Sequence, residues 1–230
     1  MRDSFRNQLI TLHTELIRMG ALCEDAIASA IKGLIDEDEK LREKAIRLES
    51  EINHKEREIE DFCLRLIIRE QPVAGDLRQI NAAQKMKTDM ERIGDQATDI
   101  AEISAFMVGS PVKSDVHIAD MARAAIEMLQ RSIDSFVTGD VKKAQEVITY
   151  DDVIDDLFVK IKSELVCQIA QDNTHGSACL DLLMIAKYLE RIGDHAVNIA
   201  EQVVYTVTGE RINEEESTGV ESTGERGVNA

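Results

Sequence analysis

A chain of 230 residues allows one or two compact domains, and 43% hydrophobic content supplies a core for each. Two prolines, 3% aromatics and no tryptophan, with Ala, Leu, Ile, Glu, Lys and Arg dominant, describe a helical protein. A formal charge of −17 argues against a nucleic-acid partner and against an anionic membrane surface, because both need a basic face. It suits cations, basic partner proteins or simple solubility.

The start, Met1 to Arg6, lacks the apolar core of a secretory signal, and the longest apolar run, about Leu182 to Ala186, is too short to span a bilayer. A cytoplasmic protein is expected. Cys23, Cys63, Cys167 and Cys179 show no C-x-x-C spacing and lie mostly on apolar helix faces, so they read as reduced core residues.

Leu9, Leu12, Leu16, Met19, Cys23, Ala26 and Ala30 step by three and four and mark a long first helix. Asp36-Glu37-Asp38-Glu39 ends it. Leu41, Ala45, Leu48, Ile52, Ile59, Phe62 and Leu66 predict a second helix, its seam interrupted near Lys55. Gln71 to Asp76 is a turn by its proline and glycine, with Asp76 expected to cap a third helix that runs to about Val108. Gly109-Ser110-Pro111 then breaks the chain. A fourth helix is expected from about Ser114 to Val137, a turn at Thr138-Gly139-Asp140, a fifth helix to about Gln171, a turn at Asp172 to Gly176, and a sixth helix to about Val207. The remainder is polar and lacks an apolar period, which predicts a disordered tail over 209–230.

Glu91-Arg92-Ile93-Gly94-Asp95 returns as Glu190-Arg191-Ile192-Gly193-Asp194, and Ile100-Ala101-Glu102 as Ile199-Ala200-Glu201. A shift of 102 lays Met19 on Met121, Glu49 on Asp151, Ile52 on Ile154 and Asn53 on Asp155, while the pentads need a shift of 99. The chain is a duplication. The expected fold is all-α: two tandem, pseudo-symmetric three-helix bundles, over residues 1–110 and 111–208.

On the third helix, Glu91, Asp95, Asp99 and Glu102 fall opposite the apolar side; Glu190, Asp194, Asn198 and Glu201 repeat this on the sixth, and Glu91, Asp95, Asp99, Glu190, Asp194 and Asn198 are candidate metal ligands. Adjacent carboxylates repel unless a proton, an arginine or a cation lies between them. The bland alternative is a solvated face in which Arg92 and Arg191 make surface pairs with Asp95 and Asp194. The mid-helix Gly94 and Gly193 each cost roughly 1 kcal/mol relative to alanine, so something has to approach there: a neighbouring helix or a bound ion. A neighbouring helix offers Glu49, Asn53 and Glu56 in one half and Asp151, Asp152 and Asp155 in the other. Such oxygen donors favour Mg, Mn, Ca or Fe over copper, with only a weak preference against zinc.

Glu51-Ile52-Asn53-His54 has the E-x-x-H spacing of di-iron bundles, which makes a di-iron or other metal carboxylate enzyme the alternative reading; its counterpart, Val153 to Asp156, lacks both ligands. His13, His117, His175 and His195 have no ligand spacing among themselves. No G-x-S-x-G, P-loop or H-E-x-x-H is present, and no catalytic residue is assigned.

The paired E-R-I-G-D motifs, together with the turn Gln71-Pro72-Val73-Ala74-Gly75-Asp76-Leu77-Arg78 and the ending Val204 to Gly209, resemble the PhoU family over about residues 3–208. The resemblance implies a non-enzymatic negative regulator of the phosphate-starvation response and of phosphate uptake. It implies an adaptor between the ATPase of the phosphate ABC transporter and a sensor histidine kinase, a homodimer, and contact with the membrane only through those partners. It also implies divalent or ferric metal ions (Fe, Zn, Mg or Mn) held by Glu91 with Asp95 and by Glu190 with Asp194, with Glu49, Asn53, Asp151 and Asp155 contributing. The second half departs from the pattern, carrying Asp181-Leu182-Leu183 where the first has Asp76-Leu77-Arg78.

Overall fold

The computed structural model describes residues 2–73, 75–112 and 117–210. Six long helices follow one another: α1 (Arg2–Ile35), α2 (Glu39–Glu70), α3 (Gly75–Ser104), α4 (Ile118–Thr138), α5 (Val141–Gln171) and α6 (Gly176–Thr208). No strand occurs among the described residues. Every residue of the α1 stripe, from Leu9 to Ala30, is buried, which is what an unbroken 3.6-residue period requires.

The turns are set by local chemistry. Asp38 accepts the N–H groups of Lys40 (2.8 Å) and Leu41 and so caps α2. Asp140 accepts from Lys143 N–H (3.1 Å) and caps α5. At the far end of α2, Gln71 takes the left-handed conformation (φ 47°) and its N–H donates to Ile67 O. Asp76 does not cap α3 as expected: the helix already starts at Gly75, which puts Asp76 inside the first turn. There its charge still faces the positive end of the helix dipole. α3 also stops short of Val108, tightening at Ala105–Met107 into a 3-10 turn. The expected starting point of α4 at Ser114 and positions 211–230 of the tail lie outside the described residues.

α1, α2 and α3 pack together, as do α4, α5 and α6, and the two bundles meet along α3 against α6 and α1 against α4. Ile52, Met90 and Ile93 of one half and Ile154, Leu189 and Ile192 of the other belong to one continuous buried cluster. At Gly20 an added Cβ would lie 2.2 Å from Ile133 Cδ1, so the missing side chain is what lets α4 seat against α1. The interruption in the α2 seam is occupied by Lys55, whose Nζ reaches across to Glu15 of α1 at 2.9 Å. Cys23, Cys63 and Cys179 are buried and Cys167 is exposed; all four are free thiols.

Candidate metal centre

The two pentads stand on equivalent helices, α3 and α6, and each faces the middle helix of its own bundle. Both glycines are contact points for that helix. A Cβ on Gly94 would lie 2.9 Å from Ile52 Cδ1 and 3.2 Å from its Cγ2; one on Gly193 would meet Asp151 Oδ1 at 3.3 Å and Ile154 Cγ2 at 3.4 Å. Of the two explanations for a mid-helix glycine, the structure supplies the neighbouring helix.

That close approach brings the acids of the two helices together. In the second half, burial, followed by the nearby charges of Asp194, Asp155, Asp152 and Glu190, pushes the Asp151 carboxyl up to about 6. Asp155 and Asp194 are also raised, first by burial and then by Glu190. Lys187 is the local counter-charge; it bonds Glu190 and lies 5.5 Å from the centre of the Phe158 ring.

The first half is built differently. Asn53 Nδ2 donates to Glu49 Oε1 at 3.0 Å, while Asn53 Oδ1 is buried with no hydrogen-bond partner. The nearly buried Lys87 pairs with Glu56 and, at 3.6 Å, with Glu60. Arg92 turns back onto its own pentad, reaching Glu91 Oε2 at 3.4 Å and Asp95 Oδ2 at 3.2 Å. Burial still raises Glu91, helped by Asp95 and opposed by Arg92. Arg191 makes no such pair among the described residues; its charge instead helps offset Asp99, which burial, Glu102 and Asp95 raise.

Two expected ligands fall at the seam between the halves. Asp99 feels Arg191 of α6, and Asn198 Nδ2 donates to Asp89 Oδ1 of α3 at 3.2 Å. Asp89 also bonds His195 Nδ1 at 3.0 Å, so His195 joins the bundles. The residues that periodicity alone overlooked are Lys87, Lys187 and Asp89. A lysine one turn ahead of each pentad glutamate was the readable signal for the first two; Asp89 carries no signal, because its partners are a hundred residues away.

Tested against a cation, the donors fit in chemistry: crowded carboxylates and an orphaned amide oxygen suit a hard ion. In placement they form shallow stripes, and among the described residues no three His, Cys, Asp or Glu side chains are gathered into a ready ligand set. An ion there would draw these side chains inward. His54, the imidazole of the di-iron alternative, is exposed and pairs with Glu58 at 3.2 Å.

The PhoU domain model matches residues 16–104 and again 118–203. The chain is 36% identical over 214 residues to the phosphate-specific transport system accessory protein PhoU homolog of Clostridium acetobutylicum, covering 92% of this chain and 98% of that protein. It is 35% identical to the homolog of the same name from Pseudomonas aeruginosa, over 90% of this chain and 86% of the other. The crystal structure of PhoU from Pseudomonas aeruginosa superposes with a TM-score of 0.84 at 33% identity, covering 90% of this chain and 100% of that one. The regulatory protein PhoU from Streptococcus pneumoniae shares the fold, with a TM-score of 0.82 at 24% identity over 91% and 99% of the two chains. Two matched repeats and near full-length likeness place this chain in the PhoU family.

Proposed function

We propose that this protein is a non-enzymatic accessory regulator of phosphate transport that restrains the phosphate-starvation response by contact. It serves as an adaptor between the ATPase of the phosphate ABC transporter and a sensor histidine kinase, and acts as a homodimer. The observation that carries the reading is the near full-length match to proteins named as phosphate-specific transport system accessory proteins. Two features are in keeping with it. No described helix is long and apolar enough to cross a membrane, which suits a protein that reaches the transporter through its ATPase. The acidic faces carry crowded carboxylates and an orphaned amide oxygen, groups suited to cations.

Glu49, Asn53, Glu91 and Asp95 would hold a cation in the first half, and Asp151, Asp155, Glu190 and Asp194 in the second. A bound ion would supply positive charge to neutralise these carboxylates and tie the middle helix to the last helix of each bundle. Divalent ions and ferric iron both suit all-oxygen donors. The di-iron enzyme reading has no support in the position of His54, which faces solvent.

The test is a phosphate-starvation reporter in the host, in phosphate-rich medium, with and without the gene. Deletion should leave the reporter on. Normal repression without the gene, and with no second copy to compensate, would sink the regulatory reading; failure of the purified protein to retain either the ATPase or the kinase would sink the adaptor reading.

A further inference from the structure

A cavity of about 280 Å³ opens between the two bundles, where the turn after α4 meets the last turns of α6. Its lining comes from both halves: His13 of α1 and Gln79 of α3 on one side, Phe136 and Thr138 of α4 with Val203 and Val207 of α6 on the other. No Asp, Glu, Lys or Arg lines it, in a chain where 31% of residues are charged. It is separate from the acidic stripes and does not depend on their role.

The wall has one unfinished polar contact. His13 Nε2 is buried without a hydrogen-bond partner. The ring is fixed edge-on against Phe136, with centroids 5.0 Å apart at 67°. Burial lowers the imidazole pKa, which keeps the ring neutral. Thr138 Oγ1 already donates to Asp134 O at 2.8 Å and so offers a cavity ligand only lone pairs. The Gln79 amide supplies both a donor and an acceptor at the rim. Val203 and Val207 of α6, with Phe136 beside the imidazole, supply the apolar surface, and Thr206 stands between the two valines.

A buried orphan atom calls for a partner, and water is the first candidate. Filling this volume takes several waters, each of which needs two to four polar neighbours, and beyond His13, Gln79 and the lone pairs of Thr138 and Thr206 the lining side chains are apolar. A cavity of about 150 Å³ is enough for a benzene ring, so this one admits a substituted or fused ring. A flat molecule with a polar edge for His13 and Gln79 and an apolar face for the valines satisfies every wall at once.

We propose that this cavity binds an uncharged nitrogen heterocycle of nucleobase size, with its polar edge on His13 Nε2 and the Gln79 amide and its face against Val203 and Val207. The ligand touches α1 and α3 on one side and α4 and α6 on the other, so its occupancy stabilises the packed arrangement of the halves. The chain thereby gains a small-molecule input distinct from any cation.

The experiment titrates the purified full-length chain with adenine and, separately, with uracil, up to about 5 mM, a range that covers weak fragment binding. Ligand-observed NMR reads binding and thermal melting reads stabilisation; benzoate and inorganic phosphate serve as charged controls. At least one base should bind saturably and raise the melting temperature, and neither control should compete. His13→Phe keeps a ring against Phe136 and removes Nε2, so affinity should fall about tenfold, the worth of one buried hydrogen bond. Val207→Trp fills the cavity from a half-exposed position that tolerates bulk, and should abolish binding without lowering the melting temperature. Absence of binding by both bases, binding that survives Val207→Trp, or equal binding of the charged controls would overturn the proposal.

Discussion

Replacing Gly94 by alanine sets two opposed effects against each other at a known place. Alanine removes the backbone-entropy penalty of a mid-helix glycine, a gain of about 1 kcal/mol. The added methyl, however, lands 2.9 Å from Ile52 Cδ1, 3.2 Å from Cγ2 and 3.6 Å from Cβ. Ile52 is fully buried and β-branched, so it can swing neither into solvent nor freely about χ1. Overpacking of this kind costs about 1–3 kcal/mol, which leaves Gly94→Ala destabilised by up to about 2 kcal/mol. Gly193→Ala is the internal control. Its new methyl would meet Asp151 Oδ1 at 3.3 Å, a tight contact that the carboxyl relieves by giving a few tenths of an ångström, and Ile154 at 3.4 and 3.5 Å, which is ordinary packing, so most of the helix gain survives. The two variants should therefore differ by about 1–3 kcal/mol, or roughly 2–12 °C in melting temperature for a chain of this size. Thermal and urea denaturation in chelator-treated buffer, side by side, measure it. A Gly94→Ala protein as stable as Gly193→Ala would refute the claim that α2 presses on α3 there.

Asp151→Asn should stabilise the metal-free protein at pH 7.5, keep part of that advantage at pH 5 and lose it below about pH 4. Its native carboxyl is raised from 3.8 to about 6, so the folded state holds the proton more tightly and stability falls as pH rises from about 4 through 6; melting curves of equal pH dependence for variant and parent would contradict this. Replacing Asp95 and Asp194 together by alanine should strip divalent or ferric ions from protein incubated with Mg, Mn, Zn and Fe, and unchanged metal by elemental analysis would remove these residues from the site. Gln71→Gly should stabilise the fold by about 0.5–1 kcal/mol, because a side chain is strained at φ 47° and glycine is not; an unaltered or lowered urea midpoint would count against it.

What the amino-acid order alone determined is whatever short-range periodicity carries. The α1 stripe from Leu9 to Ala30 names its buried face residue by residue, because side chains three and four apart share a face in any helix, whatever packs on it. The duplication was equally legible, since the pentads repeat as letters and fall on α3 and α6 as equivalents. Tertiary structure decided what depends on which distant residues meet. The pentads predicted two equal acidic faces, yet Arg92 folds onto Glu91 and Asp95 while Arg191 makes no such pair among the described residues and its charge acts on Asp99 of the other half. Asn198, alike in register to Asp99, is engaged by Asp89, and Gly20 is a docking point for Ile133. A helical period says that a residue points outward from its own axis, but not whether solvent, a partner bundle or a counter-charge stands there. That is settled only when two bundles of the same design pack along α3 and α6.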